Sequence, residues 1–465
     1  MHDFADIQSR YLMQCWSAQA GYSPIPVEKT EGCWIHTTDG RRIFDLRSAH
    51  ECINLGFNHP RVLDAMKKQM DKVVYVTDDF ATEPTAQLAR TLAHITPGSP
   101  NKKVFFSQSG AAAIEAAIKA ARLYKYNTVM KGTTPSVDAP NQYPFPYKII
   151  SRYRSWHGAT AGASSVSGDP RRWFTEPFTC PGVVFAPEAN AYRSPFGEGV
   201  DAVQAGLAYL DYLIEQEGGS NKVAAMILEP VVGSNGIIPP PPGYMEGVAE
   251  LCRKWDILLI ADETMTGMGR TGKMFAIEHY AVEPDIMVMG KALGAYCPMA
   301  ATVFSEKVAQ AFADNLFGHG QSFSGHALGS AAALAGIKVL LEDGLLEQAA
   351  GMGEYLGTSL KALKAKHICV GDVRGLGLFW TIEIVRDQQK KTPVRRYTEK
   401  YSETVMKRLA NFLLKEKNVY VPSDKFGLWI VPPLIVTRDE IDFIVEAIDE
   451  SLDLADEWVR KAGAS

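Results

Sequence analysis

A lysine that directly follows a short apolar run and a glycine can serve as a nucleophile held at a strand end. Lys291 stands this way in Asp285-Ile286-Met287-Val288-Met289-Gly290-Lys291. Four apolar residues between breakers predict a buried strand, and open α/β sheets bind ligands at the carboxyl ends of their strands. Two further apolar runs close on carboxylates, 224–228 on Glu229 and 257–261 on Asp262. A lone lysine after a strand is more often a solvated cation. Three runs ending in ionisable groups reverse that weighting and predict that Glu229, Asp262 and Lys291 converge at one sheet edge. An amine and a carboxylate held together suit a cofactor whose aldehyde is captured covalently while its ring nitrogen stays protonated.

The elements that must position these groups can also be read. Val104-Phe105-Phe106 predicts a strand leading into Ser107-Gln108-Ser109-Gly110-Ala111, and the Ala-, Leu-, Lys- and Arg-rich stretch 111–124 predicts a helix. A Ser-Gly turn opening a helix offers free N–H groups and the positive dipole end to an anion, although an ordinary serine N-cap reads the same. Lys148-Ile149-Ile150 predicts a strand that delivers Trp156-His157-Gly158, and a tryptophan there could stack on a cofactor ring. Gly267-x-Gly269-x-x-Gly272 matches the dinucleotide fingerprint formally, yet the acid near the right spacing, Asp285, precedes its strand. His319 and His326 lack helical metal-ligand spacing and an acidic partner, so no metal is expected.

Asp262-Glu263-Thr264-Met265-Thr266-Gly267-Met268-Gly269-Arg270-Thr271-Gly272 and Gly290-Lys291-Ala292-Leu293-Gly294 resemble the corresponding segments of class III aminotransferases, and the likeness runs from about Asp45 to Pro432-Pro433-Leu434. The resemblance implies an α/β chain of the pyridoxal-phosphate (PLP) fold type I. A large domain with a mostly parallel central sheet flanked by helices would span 59–330. A smaller α+β domain would be formed by both chain ends, 1–58 and 331–465. It implies PLP as cofactor, with Lys291 and Asp262 catalytic and with Ser109, Gly110, Ala111, Trp156, His157, Glu229, Asp262, Thr264 and Lys291 around the cofactor. Family members usually read Ser-Gly-x-Glu after the strand; Ala112 stands at the acid's position. His319-Gly320-Gln321-Ser322 resembles a loop whose hydroxyl reaches the phosphate bound by a neighbouring subunit. Ser322 as a cofactor ligand therefore implies a homodimer with shared active sites, or two such dimers paired as a tetramer.

The 465 residues, 46% of them hydrophobic, can bury a large core, and the net charge of −5 leaves no basic stripe for nucleic acid. Seven scattered cysteines without a C-x-x-C pair read as reduced thiols of a cytoplasmic protein. Neither a signal peptide nor a run of roughly 18 apolar residues is apparent, so no membrane association is expected. Pro-, Asn- and Thr-rich 131–147 predicts a surface excursion, 331–346 a long helix between domains, and 400–416 and 438–458 further helices.

The substrates implied are an amino donor and a 2-oxo acid. Relatives that act on GABA carry arginines after the His-Gly pair and before the C-terminal Pro-Leu; here Ala159 and Trp429 stand there. A third arginine, mobile in ω-amino acid:pyruvate enzymes, is replaced near Val421, and Val232-Gly233-Ser234-Asn235-Gly236 departs from the Gln-Gly-Glu-Gly form. An anionic substrate must then be held differently. His50, Arg154 and Trp429 are the expected substrate residues, with Arg171 and Arg172 nearby. With the early Trp16-Ser17-Ala18-Gln19 they most resemble the taurine and β-alanine branch. A GABA or other ω-amino acid:pyruvate enzyme is the closest alternative. An aminomutase or decarboxylase is a second, since a fold does not fix which bond breaks. A PLP-retaining interaction protein is a third.

Overall fold

The computed structural model describes residues 4–129, 145–395, 405–421 and 426–463. Most of the excursion expected at 131–147 and the first residues of the helix expected at 400–416 lie outside these. A seven-stranded sheet forms the centre, in the order Lys103–Ser107, Ala300–Phe304, Ile286–Met289, Leu258–Asp262, Val223–Leu228, Lys148–Arg152, Val183–Ala186. Only Ala300–Phe304 runs antiparallel to its neighbours. Every residue of the strands 223–228, 258–262, 286–289 and 300–304 is buried, because helices cover both faces and no strand needs a polar side. Against this sheet lies Gly110–Val129, whose Ala113, Ala116, Ala117, Ala120 and Ala121 let the helix approach closely.

Both chain ends share one smaller sheet. Trp34–Thr37 and Arg42–Asp45 form a hairpin around Thr38-Asp39-Gly40, and Val419–Tyr420 adds to Arg42–Asp45 in parallel. A third sheet joins Val370–Leu376, Phe379–Asp387 and Gly427–Ile430. Its tight turn at Gly377 has φ +56°, and a Cβ there would lie 2.3 Å from the Thr271 carbonyl carbon. Only glycine lets this hairpin seat against the 267–272 loop.

The single helix expected at 331–346 is instead two. Ala327–Glu342 ends at Asp343, Gly344 turns left-handed at φ +65°, and Leu345–Lys366 begins a second helix. The chain-terminal helix Arg438–Gly463 is fastened to this second helix through His367, whose Nδ1 meets Asp456 at 3.0 Å and Nε2 meets Asp449 at 2.7 Å. No helix among the described residues is long and apolar enough to cross a membrane.

Candidate active site

Parallel pairing brings the predicted strand ends together. Leu228 is in register with Ala261 and Asp262 with Val288, so Glu229, Asp262 and Lys291 leave adjacent strands at one edge. Asp262 is fixed on both oxygens: Oδ2 lies 2.7 Å from His157 Nδ1, and Oδ1 accepts from the Thr264 N–H at 3.0 Å. Glu229 does something else. Its oxygens accept from the Trp156 N–H at 3.0 Å and the Gly233 N–H at 2.8 Å, so it anchors the loop that carries Trp156 and His157. Burial pushes its pKa up, with Asp262 adding to the rise, while His157 and the two N–H groups hold it back.

Lys291 opens a short 3-10 turn with φ +47°, a strained conformation for a non-glycine residue. Its Nζ lies 2.5 Å from Glu51 Oε2. The other oxygen of Glu51 meets Arg47 Nε at 3.3 Å, and the Arg47 guanidinium lies 5.1 Å from the ring centroid of Trp429. Burial acts to raise the Glu51 pKa, but Lys291 and Arg47 overcome it and bring it down to about 2. The two cations thus keep a fully enclosed carboxylate ionised.

Glu51 points this way because of its backbone. Ser48, Ala49, His50 and Glu51 all have positive φ, at 47°, 45°, 62° and 62°. A left-handed run costs roughly 1–2 kcal/mol per non-glycine residue, so the surroundings must impose it. Asp45 accepts from the N–H groups of Arg47 at 3.0 Å and Ala49 at 2.6 Å. Ser48 Oγ donates to the Val431 carbonyl at 2.6 Å and accepts from buried Arg270 at 3.3 Å. Arg270 also donates to Asn54 Oδ1 at 2.6 Å and to the carbonyls of Leu378 and Pro432 at 3.0 and 2.5 Å. One guanidinium therefore clamps the turn to the loop after the Asp262 strand, to the turn before Phe379–Asp387 and to the segment after Gly427–Ile430.

The expected anion cradle adjoins Lys291. Ser109 Oγ accepts from the Ala112 N–H at 3.2 Å at the start of the helix Gly110–Val129. A Cβ on Gly110 would lie 2.8 Å from Thr264 Cγ2, and one on Gly290 would lie 3.4 Å from Gly110 Cα. Gly158 is packed as tightly: a Cβ there would sit 2.5 Å from the Ala111 Cβ. Where Ala112 replaces the family's acid, Glu115 stands one turn on and accepts from Thr160 Oγ1 at 2.6 Å and the Gly162 N–H at 2.8 Å. Ser322 is exposed within one chain, on a loop that Gln321 ties to Ser107 Oγ at 3.2 Å.

Trp156 gathers three separated pieces of sequence. The Arg171 guanidinium lies 3.6 Å from its ring centroid, and Trp16 packs against it edge-on at 5.6 Å. Asp169 holds Arg171 at 3.0 Å. Arg154 is turned elsewhere: its Nη2 donates to the Asn235 carbonyl at 2.9 Å and its Nη1 faces Glu188 at 3.7 Å. Trp429 is buried beneath Arg47, and His50 rides on the strained turn, its pKa lowered by enclosure and by the cations of Arg47 and Lys291. Glu51 and Arg47 went unremarked in the sequence. No sequence signal marks them, because nothing in four non-glycine residues announces a left-handed turn.

The donor set fits PLP. A helix start stripped of side chains faces the Lys291 strand end, the buried Thr264 Oγ1 beside it lacks a hydrogen-bond partner among the described residues, and a braced carboxylate and an accessible amine complete the three handles for phosphate, ring nitrogen and aldehyde. The family model described as Aminotransferase class-III matches residues 16–452. The taurine–pyruvate aminotransferase of Bilophila wadsworthia is 33% identical over 453 residues, 96% of each chain. The ornithine aminotransferase of Oceanobacillus iheyensis is 34% identical over 434 residues, 93% of this chain and 95% of that one. The taurine:2-oxoglutarate aminotransferase from Bifidobacterium kashiwanohense, solved with PLP and glutamate, superposes with a TM-score of 0.89 at 35% identity, over 98% of each chain. With the sheet, the Asp262 and Lys291 strand ends and these likenesses in agreement, the chain belongs to the class III aminotransferases, PLP-dependent enzymes of fold type I.

Proposed function

We propose that this aminotransferase takes its amino group from a terminal carbon, as in taurine or β-alanine, and gives it to 2-oxoglutarate or pyruvate in two half-reactions. It would work as a homodimer with shared active sites in the cytoplasm. The observation that carries the donor reading is that Trp16 and Arg171, both in segments whose sequence resembles the taurine and β-alanine branch, meet on the Trp156 ring. Taurine aminotransferases among its relatives support it. The equally similar ornithine enzyme shows that identity alone does not select the donor.

When bound, PLP supplies an aldehyde that takes up the amino group and a ring that accepts the electron pair of the cleaved C–H bond. The chain's own residues do the rest. Lys291 would hold the aldehyde and, once displaced, carry a proton on Nζ from substrate carbon to cofactor. Asp262, locked by His157 and the Thr264 N–H, would keep the ring nitrogen protonated through its charge. The N–H groups at Ser109, Gly110 and Ala111, with Thr264 Oγ1, would hold the phosphate, and Trp156 would flank the ring.

The test is to mix holoenzyme separately with taurine, β-alanine, GABA, alanine and glutamate and to follow the absorbance of the lysine-bound cofactor. Fastest conversion by taurine or β-alanine is expected. Much faster conversion by GABA, or conversion by α-amino acids alone, would remove the donor assignment and leave the aminotransferase.

A further inference from the structure

The chain lacks arginines at 159, 421 and 429, yet the structure puts one beside Lys291. Arg47 is joined to the reactive amine through a single carboxylate, with Glu51 Oε2 on Lys291 Nζ and Oε1 on Arg47 Nε. Its guanidinium carbon lies 5.1 Å from the Trp429 ring centroid, within cation–π range. Only Nε makes a side-chain hydrogen bond: Nη1 and Nη2 make none with any described residue, and the side chain remains partly open to solvent. Arg154, the arginine expected from sequence, has its guanidinium on Glu188 and the Asn235 carbonyl instead. Arg171 is held by Asp169.

We propose that Arg47 is the residue that grips the substrate's sulfonate or carboxylate, with Glu51 and Trp429 as the positioning residues that hold its free fork toward the site. The inference rests on the reading of the substrate as a terminal amino acid. It follows from charge and reach. Such a donor carries an ammonium and an anion a few bonds apart. Here an amine-binding position at Lys291 and two unused guanidinium nitrogens flank one buried carboxylate. Glu51 accepts from an ammonium at one end of this row and leaves the forked donor at the other. A planar fork suits the oxygens of a sulfonate as well as those of a carboxylate. The same fork would receive the carboxylate of the 2-oxo acid, so one residue would serve both half-reactions.

The test compares wild-type holoenzyme with Arg47→Gln and Arg47→Lys. Donors are taurine, β-alanine and n-propylamine, the last without an anion. Propanesulfonate binding is followed separately by quenching of tryptophan fluorescence, without turnover. In Arg47→Gln, the KM for taurine and β-alanine and the propanesulfonate dissociation constant should each rise roughly 10- to 100-fold, while kcat and the n-propylamine reaction stay within about twofold. Arg47→Lys keeps the charge and loses the fork, so it should fall between, at about fivefold; it also carries the test if the Gln variant folds poorly. An equal loss on n-propylamine, or unchanged propanesulfonate binding in both variants, would overturn the proposal. If no terminal amino acid reacts with the wild type while propanesulfonate binding still depends on Arg47, the donor reading falls and the grip stands.

Discussion

The His157 imidazole and the Asp262 carboxylate meet at 2.7 Å with both side chains closed to solvent. With Nδ1 donating, the imidazole fixes one carboxylate oxygen while the Thr264 N–H fixes the other, so Asp262 holds its charge at the strand end without freedom to rotate. The pairing makes His157 a support for Asp262.

Replacing Asp262 should therefore separate binding from chemistry. Asp262→Asn should retain PLP, because the phosphate and aldehyde handles are intact, yet slow transamination by at least about 100-fold, since an amide exerts no charge on the ring nitrogen. His157→Gln should lose roughly 10-fold, in line with removal of one hydrogen bond to a charged group. Single-turnover rates at saturating donor measure both. A normal rate in Asp262→Asn would assign the ring nitrogen to another group.

Removal of Lys291 has a structural cost besides the chemical one. Lys291→Ala should abolish covalent attachment of PLP and nearly all turnover, and should leave Glu51 buried with Arg47 as its sole remaining ion-pair partner among the described residues. The cofactor-free variant should lose about 2 kcal/mol, below the full penalty for a broken buried pair because Lys291 is itself partly exposed. Adding Glu51→Gln should restore most of that stability and none of the activity. Urea unfolding checks this, and a double variant no more stable than Lys291→Ala would show that Glu51 bears no buried charge.

The same carboxylate sets a pH dependence. The Glu51 pKa is depressed from 4.5 to about 2, so the unfolded chain takes up its proton first as pH falls. Stability from this group is complete above pH 4.5 and is lost between there and about pH 2, to the extent of about 3 kcal/mol. In the cofactor-free protein, the stability difference between wild type and Glu51→Gln should shrink across that window. A difference that stays constant from pH 6 to pH 3 would contradict the pairing.

How much of this was legible follows the range over which each feature is determined. The strands that end at Glu229, Asp262 and Lys291 could be read because a buried parallel strand needs only a local apolar run between breakers. The helix start at Gly110 was equally local. The left-handed turn at 48–51 was not, since Asp45, Arg270 and the Val431 carbonyl impose it from three places in the chain. With the turn hidden, Glu51 and Arg47 were hidden too. The setting of Arg154, expected at the substrate, was equally non-local: its φ is +67° and its guanidinium donates to the Asn235 carbonyl, 81 residues on. Nor did composition distinguish the one helix expected at 331–346 from two, a matter decided by Gly344.

The proposed sharing of active sites between two subunits can be tested through the loop that carries Ser322. Within one chain the Ser322 hydroxyl has no hydrogen-bond partner among the described residues, while its carbonyl accepts from the Tyr75 hydroxyl. Beside it Phe323 and Leu316 are exposed, and the Phe323 ring packs on Tyr75 at 4.9 Å. An ordered loop that presents a free hydroxyl and large apolar side chains suits a surface completed by a second copy. Ser322→Ala should weaken PLP retention about 10-fold, as expected for loss of one hydrogen bond to a charged phosphate, with the dimer intact. Phe323→Asp should shift the protein toward monomer and release PLP in the same concentration range. Sedimentation velocity paired with cofactor content after dialysis reads both quantities. A Phe323→Asp monomer that keeps its cofactor and its turnover would show that each subunit closes its own phosphate site.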